Sequence, residues 1–210
     1  MVTEKRPGLT DLSMADEGAA ICLEPTREQI PPLRMLLSAG AFVRVETGHS
    51  LRELICEQFR VSPEYLEQEI KVLFLNYSPV NDMDSAIIKD GAILALCGAM
   101  PGLVGAAMRR DGLSSMRSSI TYKEQATERV QGAGVIRLKL FNVVMKDLGE
   151  SFLRRGVYVE SRTLAEFLAT FSGDFWRECK GIHRNGRAIT KDGLFHHLSA
   201  SETWVRYSIH

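Results

Sequence analysis

Only four cysteines occur in the 210 residues, Cys22, Cys56, Cys97 and Cys179, and no two form a C-x-x-C pair. That scatter excludes a disulfide framework, a paired-cysteine zinc site and a cysteine-held iron–sulfur cluster, and it fits reduced thiols in a cytoplasmic protein. No run approaches the roughly 18 consecutive apolar residues of a membrane span. The polar start Met1-Val2-Thr3-Glu4-Lys5-Arg6-Pro7 has no apolar segment behind it, so neither a membrane partner nor a signal peptide is expected. The nucleophile elbow, the Walker loop and the dinucleotide fingerprint are all missing, so no enzyme and no cofactor are expected. Net charge is also missing, with 26 Lys and Arg against 26 Asp and Glu.

The charge that is present is unevenly placed. Residues 1–99 hold 9 basic and 15 acidic side chains, residues 100–134 hold 5 and 3, and residues 135–210 hold 12 and 8. No segment is basic enough to point to nucleic acid. An acidic first part and a basic last part favour attraction to each other or to a charged protein partner.

The strongest positive signal is a repeat. Val45-Glu46-Thr47-Gly48-His49-Ser50-Leu51-Arg52-Glu53-Leu54-Ile55 is echoed by Val159-Glu160-Ser161-Arg162-Thr163-Leu164-Ala165-Glu166-Phe167-Leu168. Each reads as a strand, a turn and a helix opened by an S/T-x-x-E capping box, Ser50 with Glu53 and Thr163 with Glu166. Before each, a strand candidate lies 21 residues upstream, Ile21 ahead of Phe42 and Ile136 ahead of Val157. After each, a strand, an asparagine turn (Asn76-Tyr77 or Asn185-Gly186), a Lys-Asp-Gly turn (residues 89–91 or 191–193) and a closing strand are predicted. Residues 1–18 read as a flexible tail, Ile30-Pro31-Pro32 as an interruption of regular structure, and residues 146–155 as a turn region. The division expected is a first domain over 19–99, a glycine-containing connector over 100–134 and a second domain over 135–210, of class α+β, each a mixed sheet on one main helix.

The stretch Leu73-Phe74-Leu75-Asn76-Tyr77-Ser78-Pro79-Val80, followed by Ile88-Lys89-Asp90-Gly91-Ala92-Ile93-Leu94-Ala95-Leu96, resembles the β-grasp (ubiquitin-like) fold. It looks closest to the sulfur-carrier branch, the small subunit of molybdopterin synthase and the thiamine sulfur carrier. Members run a strand into an Asn-Gly-x-x-Val turn, then a DGD turn and a last apolar strand. Tyr77 here replaces the glycine and Ala92 the second acid, while Asn185-Gly186-Arg187-Ala188-Ile189 keeps the first motif in the second copy. The resemblance implies two ubiquitin-like domains in tandem. It also implies a free C-terminal Gly-Gly for sulfur loading, which neither copy has: the first runs on through residues 98–112, and the second ends at Ser208-Ile209-His210. The expectation is therefore a non-enzymatic protein-interaction module. The alternative is a carrier activated by cleavage after a connector glycine.

The connector supplies the candidate site. Gly102, Leu103, Val104, Gly105, Arg109 and Arg110 combine small residues that permit close backbone approach, apolar side chains and a cationic rim, and are expected to contact a protein partner through the 100–112 segment together with the sheet surface. The competing reading makes this segment a plain connector. The Gly102–Gly105 spacing also matches a nucleic-acid-clamping GXXG loop, but no basic strip precedes it. Cys179, His183, His196 and His197 offer four soft donors, but without the close pairs zinc favours, so no metal is expected. Cys56 lies beside Glu57, which disfavours a thiolate. Phe171, Phe175 and Trp176 read as core edge.

Overall fold

The computed structural model describes residues 6–99, 102, 121–122, 131–200 and 203–210. The chain is α+β, and its contacts divide it into a central unit, Val43–Asp147, and a terminal unit made of Met1–Phe42 with Leu148–His210.

The central unit begins inside strand β2 (Ala41–Thr47), where buried Val43, Val45 and Thr47 alternate with exposed Arg44 and Glu46. Ser50 then caps α4 (Leu51–Glu53), which follows three short helices of the terminal unit described below. The Glu53 N–H donates to Ser50 Oγ at 3.2 Å, and the Ser50 N–H donates to Glu53 Oε2 at 2.7 Å. The helix relaxes into a π turn over Leu54–Gln58, burying Leu51, Leu54, Ile55 and Phe59 on one side. Ser62 caps the next helix, α5 (Pro63–Gln68), with proline at its first position, where no N–H partner is lost.

Strands β3 (Val72–Leu75) and β4 (Ser78–Pro79) form a hairpin through Asn76 and Tyr77, both at positive φ (50° and 67°). Strand β5 (Ile93–Cys97) pairs antiparallel with β3, and β6 (Gly132–Phe141) pairs parallel with β5, giving the order β4-β3-β5-β6-β2. Leu73 and Leu75 oppose Leu96 and Leu94, which oppose Leu140 and Leu138. All six are buried, so the leucines of three strands make one layer on one face of the sheet.

The terminal unit holds α1 (Leu9–Gly18), β1 (Ala20–Glu24), a 3₁₀ turn (Arg27–Gln29), α2 (Ile30–Leu33) and α3 (Leu36–Ala39). It resumes within α6 (Asn142–Arg155) and continues with β7 (Val157–Glu160), α7 (Ser161–Ala169), α8 (Gly173–Glu178), β8 (Gly181–Arg184), β9 (Arg187–Ala188), α9 (Lys191–Ser199) and β10 (Trp204–Ile209). Its strand order is β7-β10-β1-β8-β9, with β1 and β10 parallel and the other pairs antiparallel; Phe42 at the start of β2 lies opposite Tyr158 of β7. Ile21, Leu23 and Tyr207 from the sheet are buried, as are Leu164 and Leu168 of α7 and Leu194 and Leu198 of α9.

Several expectations are corrected. The units are not the contiguous domains 19–99 and 135–210: each takes strands from both stretches. β1 pairs with β8 and β10 from the later stretch, while β6 pairs with β5 from the earlier one. Alternation specifies which face of a strand is buried but not which strand lies beside it, so the exchange left no mark in the pattern. The expected tail contains α1, whose Leu12 and Ala15 are buried. Pro31 and Pro32 sit in the first turn of α2, where proline is tolerated. Residues 146–155 are helical, within α6. Thr163 is no cap, because α7 starts two residues earlier and Glu166 pairs with Arg162. Lys191, Asp192 and Gly193 open α9, capped by Thr190, and do not repeat the turn at residues 89–91. Among the described residues no helix is long and apolar enough to cross a membrane.

Candidate functional site

In the central unit, the sheet face turned away from the leucine layer carries a different chemistry. Opposed residues on neighbouring strands share a face, so the pairings define rows. Phe74, Ala95 and Lys139 form one row across β3, β5 and β6; Ile93 and Arg137 form the next; Val72, Cys97 and Phe141 form a third. Val72 and Cys97 are buried, and the other six are half-buried. Each row sets apolar surface of β5 or β3 beside a side chain of β6, and in two rows that side chain is a cation.

Arg137 and Lys139 stand two residues apart on one strand and therefore on the same side. Burial holds both below their ordinary ranges, and the neighbouring Arg137 charge lowers Lys139 further. A cation removed from water in this way gains more from an opposing carboxylate than one in full solvent, because the effective dielectric is lower. At the end of the face, Asn142 at positive φ (53°) donates from Nδ2 to Cys97 Sγ at 3.3 Å. Burial pushes the Cys97 thiol up, as it does Cys22, Cys56 and Cys179, so none of the four is tuned toward a thiolate nucleophile. Chemically, the face can seat an apolar side chain against Phe74 and Ile93 while two cations meet an acid.

Of the residues singled out in the sequence, Gly102 is exposed at φ +80°, with open space where a Cβ would stand, so it needs glycine for its backbone and not for a close approach. Leu103, Val104, Gly105, Arg109 and Arg110 lie outside the described residues. Cys179 Sγ is directed to the carbonyl oxygens of Glu24 and Gly181, and His183 faces Glu24 at 3.6 Å. His196 and His197 are ring neighbours on α9, 6.0 Å between centroids. Among the described residues no group of three or more His, Cys, Asp or Glu side chains is arranged to hold a metal ion. Phe171 stacks on the buried Phe175 at 4.3 Å, and Trp176 meets that ring edge-on, so these aromatics form the edge of the terminal unit's core.

The sequence contained one part of the face. Arg137-Leu138-Lys139-Leu140 alternates as a half-buried strand does, which places both cations on one side. Phe74, Ile93 and Ala95 could not be joined to them, because the parallel pairing of β5 with β6 spans the whole connector. No protein-family model, curated protein or solved structure matches this chain.

Proposed function

We propose that the chain is a non-enzymatic protein-interaction module of two ubiquitin-like units, and that the central unit binds a protein segment with an apolar anchor and a flanking acid. The observation that carries this reading is the alignment of half-buried Arg137 and Lys139 with Phe74, Ala95 and Ile93 on one sheet face. Apolar anchors supply most of the affinity at such a surface, and desolvated cations at its edge supply selectivity and register. Support for the ubiquitin-like reading comes from the mixed sheet of each unit, its asparagine-turn hairpin and the capped helix at Ser50. The 100–112 segment, which leaves β5, is proposed to add contacts at the margin of the same partner.

A sulfur-carrier role would require cleavage after Gly102 or Gly105. The exchange of strands weighs against it, since the released β5 end would stay in a unit that also contains β6, from the far side of the cut.

Site-specific photocrosslinking tests the proposal. A photoreactive residue replacing Phe74 is expected to capture a discrete partner, and one replacing the exposed Met35 is expected not to. Against that partner once purified, Arg137→Glu with Lys139→Glu is expected to weaken binding at least tenfold, the cost of reversing two partly desolvated charges. Unchanged affinity in the double variant would reject this face.

A further inference from the structure

The terminal unit contains a cleft of about 360 Å³ beside α1, within the size range of small-molecule sites. Its walls are mainly apolar: Met14 and Ala15 from α1, Ile21 from β1, Leu198 from α9, and Trp204 and Val205 from β10. Met14 is 66% exposed, and its flexible thioether suits a wall that adapts to a ligand.

Polar side chains also line the cleft. Among the described residues these are Arg6, Arg184, His197 and Thr203, with Asp11 as the one acid. The Asp11 carboxylate is already engaged at the start of α1, accepting from the Gly8 N–H at 2.8 Å. Arg184 is held by one end of its guanidinium: Nη2 donates to the Gly18 carbonyl at 3.1 Å. Asn185 fixes the same segment, donating from Nδ2 to the Gly18 carbonyl at 2.9 Å and accepting from the Ala20 N–H at 2.9 Å. A guanidinium anchored in this way keeps further N–H donors in a planar fork, the geometry that matches a carboxylate.

We propose that this cleft binds a small amphipathic carboxylic acid, its carboxylate at Arg184 and His197 and its apolar body against Met14, Ile21, Leu198 and Trp204. The anchored Arg184 guanidinium and the engaged state of Asp11 select an anion over an amine. The continuous apolar wall selects an aliphatic or aromatic body over a sugar or a nucleotide. The site is independent of the partner-binding face of the central unit. The same carboxylate chemistry could be presented by the C-terminus of an apolar peptide, and the probes are chosen to separate the two sources.

The full-length chain is titrated with sodium octanoate below its self-association range, with heat and tryptophan emission as readouts, Trp204 being part of the wall. One-to-one saturation is expected, with octylamine at least tenfold weaker. Arg184→Gln is expected to weaken octanoate binding about tenfold or more, as loss of a charged hydrogen-bonding partner does. Met14→Glu, at an exposed position that does not enter the core, is expected to abolish binding by placing a like charge in the wall. A tetrapeptide ending in a free leucine carboxylate is expected to bind more weakly than octanoate. Four results would each overturn the proposal: no saturation by octanoate, equal binding of octylamine, wild-type affinity in both variants, or preference for the peptide.

Discussion

Asp90 Oδ1 accepts a 2.8 Å hydrogen bond from the backbone N–H of Val135, a residue 45 positions later in the chain. The adjacent Gly91 N–H donates to the Val135 carbonyl at 2.8 Å, so a two-residue turn grips the start of β6 from both sides. Replacing the carboxylate leaves a partly buried N–H without its acceptor, a loss of about 1–3 kcal/mol. Asp90→Ala should therefore lower the urea midpoint of the chain, and hydrogen exchange should show the β6 amides opening first. Exchange that rises evenly across the protein would show that the turn does not hold this strand.

A fragment of residues 19–99 lacks β6, and a fragment of residues 135–210 lacks β1, so each would expose the strand edge that the missing strand covers. Neither fragment should show dispersed amide resonances alone, and mixing residues 1–99 with residues 131–210 should restore them. A cooperatively folded 19–99 fragment would contradict the exchange.

Acid sensitivity should be traceable to Glu150. Burial alone would raise its pKa, but hydrogen bonds from Arg154 and Arg34, helped by their charges, outweigh burial and hold it below the ordinary carboxylate range. A folded-state pKa below the unfolded one means that the ionised pair stabilises above the unfolded value, near 4.3. That contribution disappears as pH falls through the folded value. The stability gap between wild type and Glu150→Gln should be largest near neutrality and should close as the solution is acidified. A gap independent of pH would assign the effect to packing.

At Gly156 the backbone φ is +90°, and a Cβ built there would stand 2.7 Å from Arg206 Nε and 2.8 Å from its Cζ. Arg206 also donates from Nη2 to the Arg155 carbonyl at 2.6 Å, and it faces Asp16, which in turn accepts from the Tyr158 hydroxyl at 2.8 Å. Gly156→Ala combines left-handed strain of about 1–3 kcal/mol with displacement of that guanidinium. Chemical denaturation should report at least that loss, and α1, tied down through Asp16, should gain amide exchange. A melting temperature equal to wild type would contradict both the backbone strain and the displacement of Arg206.

What could be read from residues alone was what is decided locally. Ser50 and Glu53 lie three apart and cap each other, and Asn185-Gly186 takes the positive φ values (49° and 75°) its composition demands. Thr163 and Glu166 hold the same spacing as Ser50 and Glu53 without the cap, because a helix boundary depends on where the preceding strand ends as well as on a motif. The Lys-Asp-Gly triplets also diverge: residues 89–91 form a turn gripping β6, while residues 191–193 enter a helix once Thr190 supplies the cap. Least legible was the pairing of strands. Leu94 opposing Leu138 is an outcome of the tertiary fold, and the sheet face of Phe74 and Lys139 exists only through that pairing. The cleft was hidden for a related reason, since Met14 looked like part of a tail until α1 packed on the sheet.

The division of the terminal unit between two stretches of the chain also orders events during synthesis. β1 leaves the ribosome before its partners, with Ile21 and Leu23 on the side that must be buried, since both strands that flank it are encoded beyond residue 180. The central unit has all its strands once β6 has emerged, while this early strand still waits for its neighbours. Until those strands emerge, Ile21 and Leu23 have no neighbouring strand to shield them.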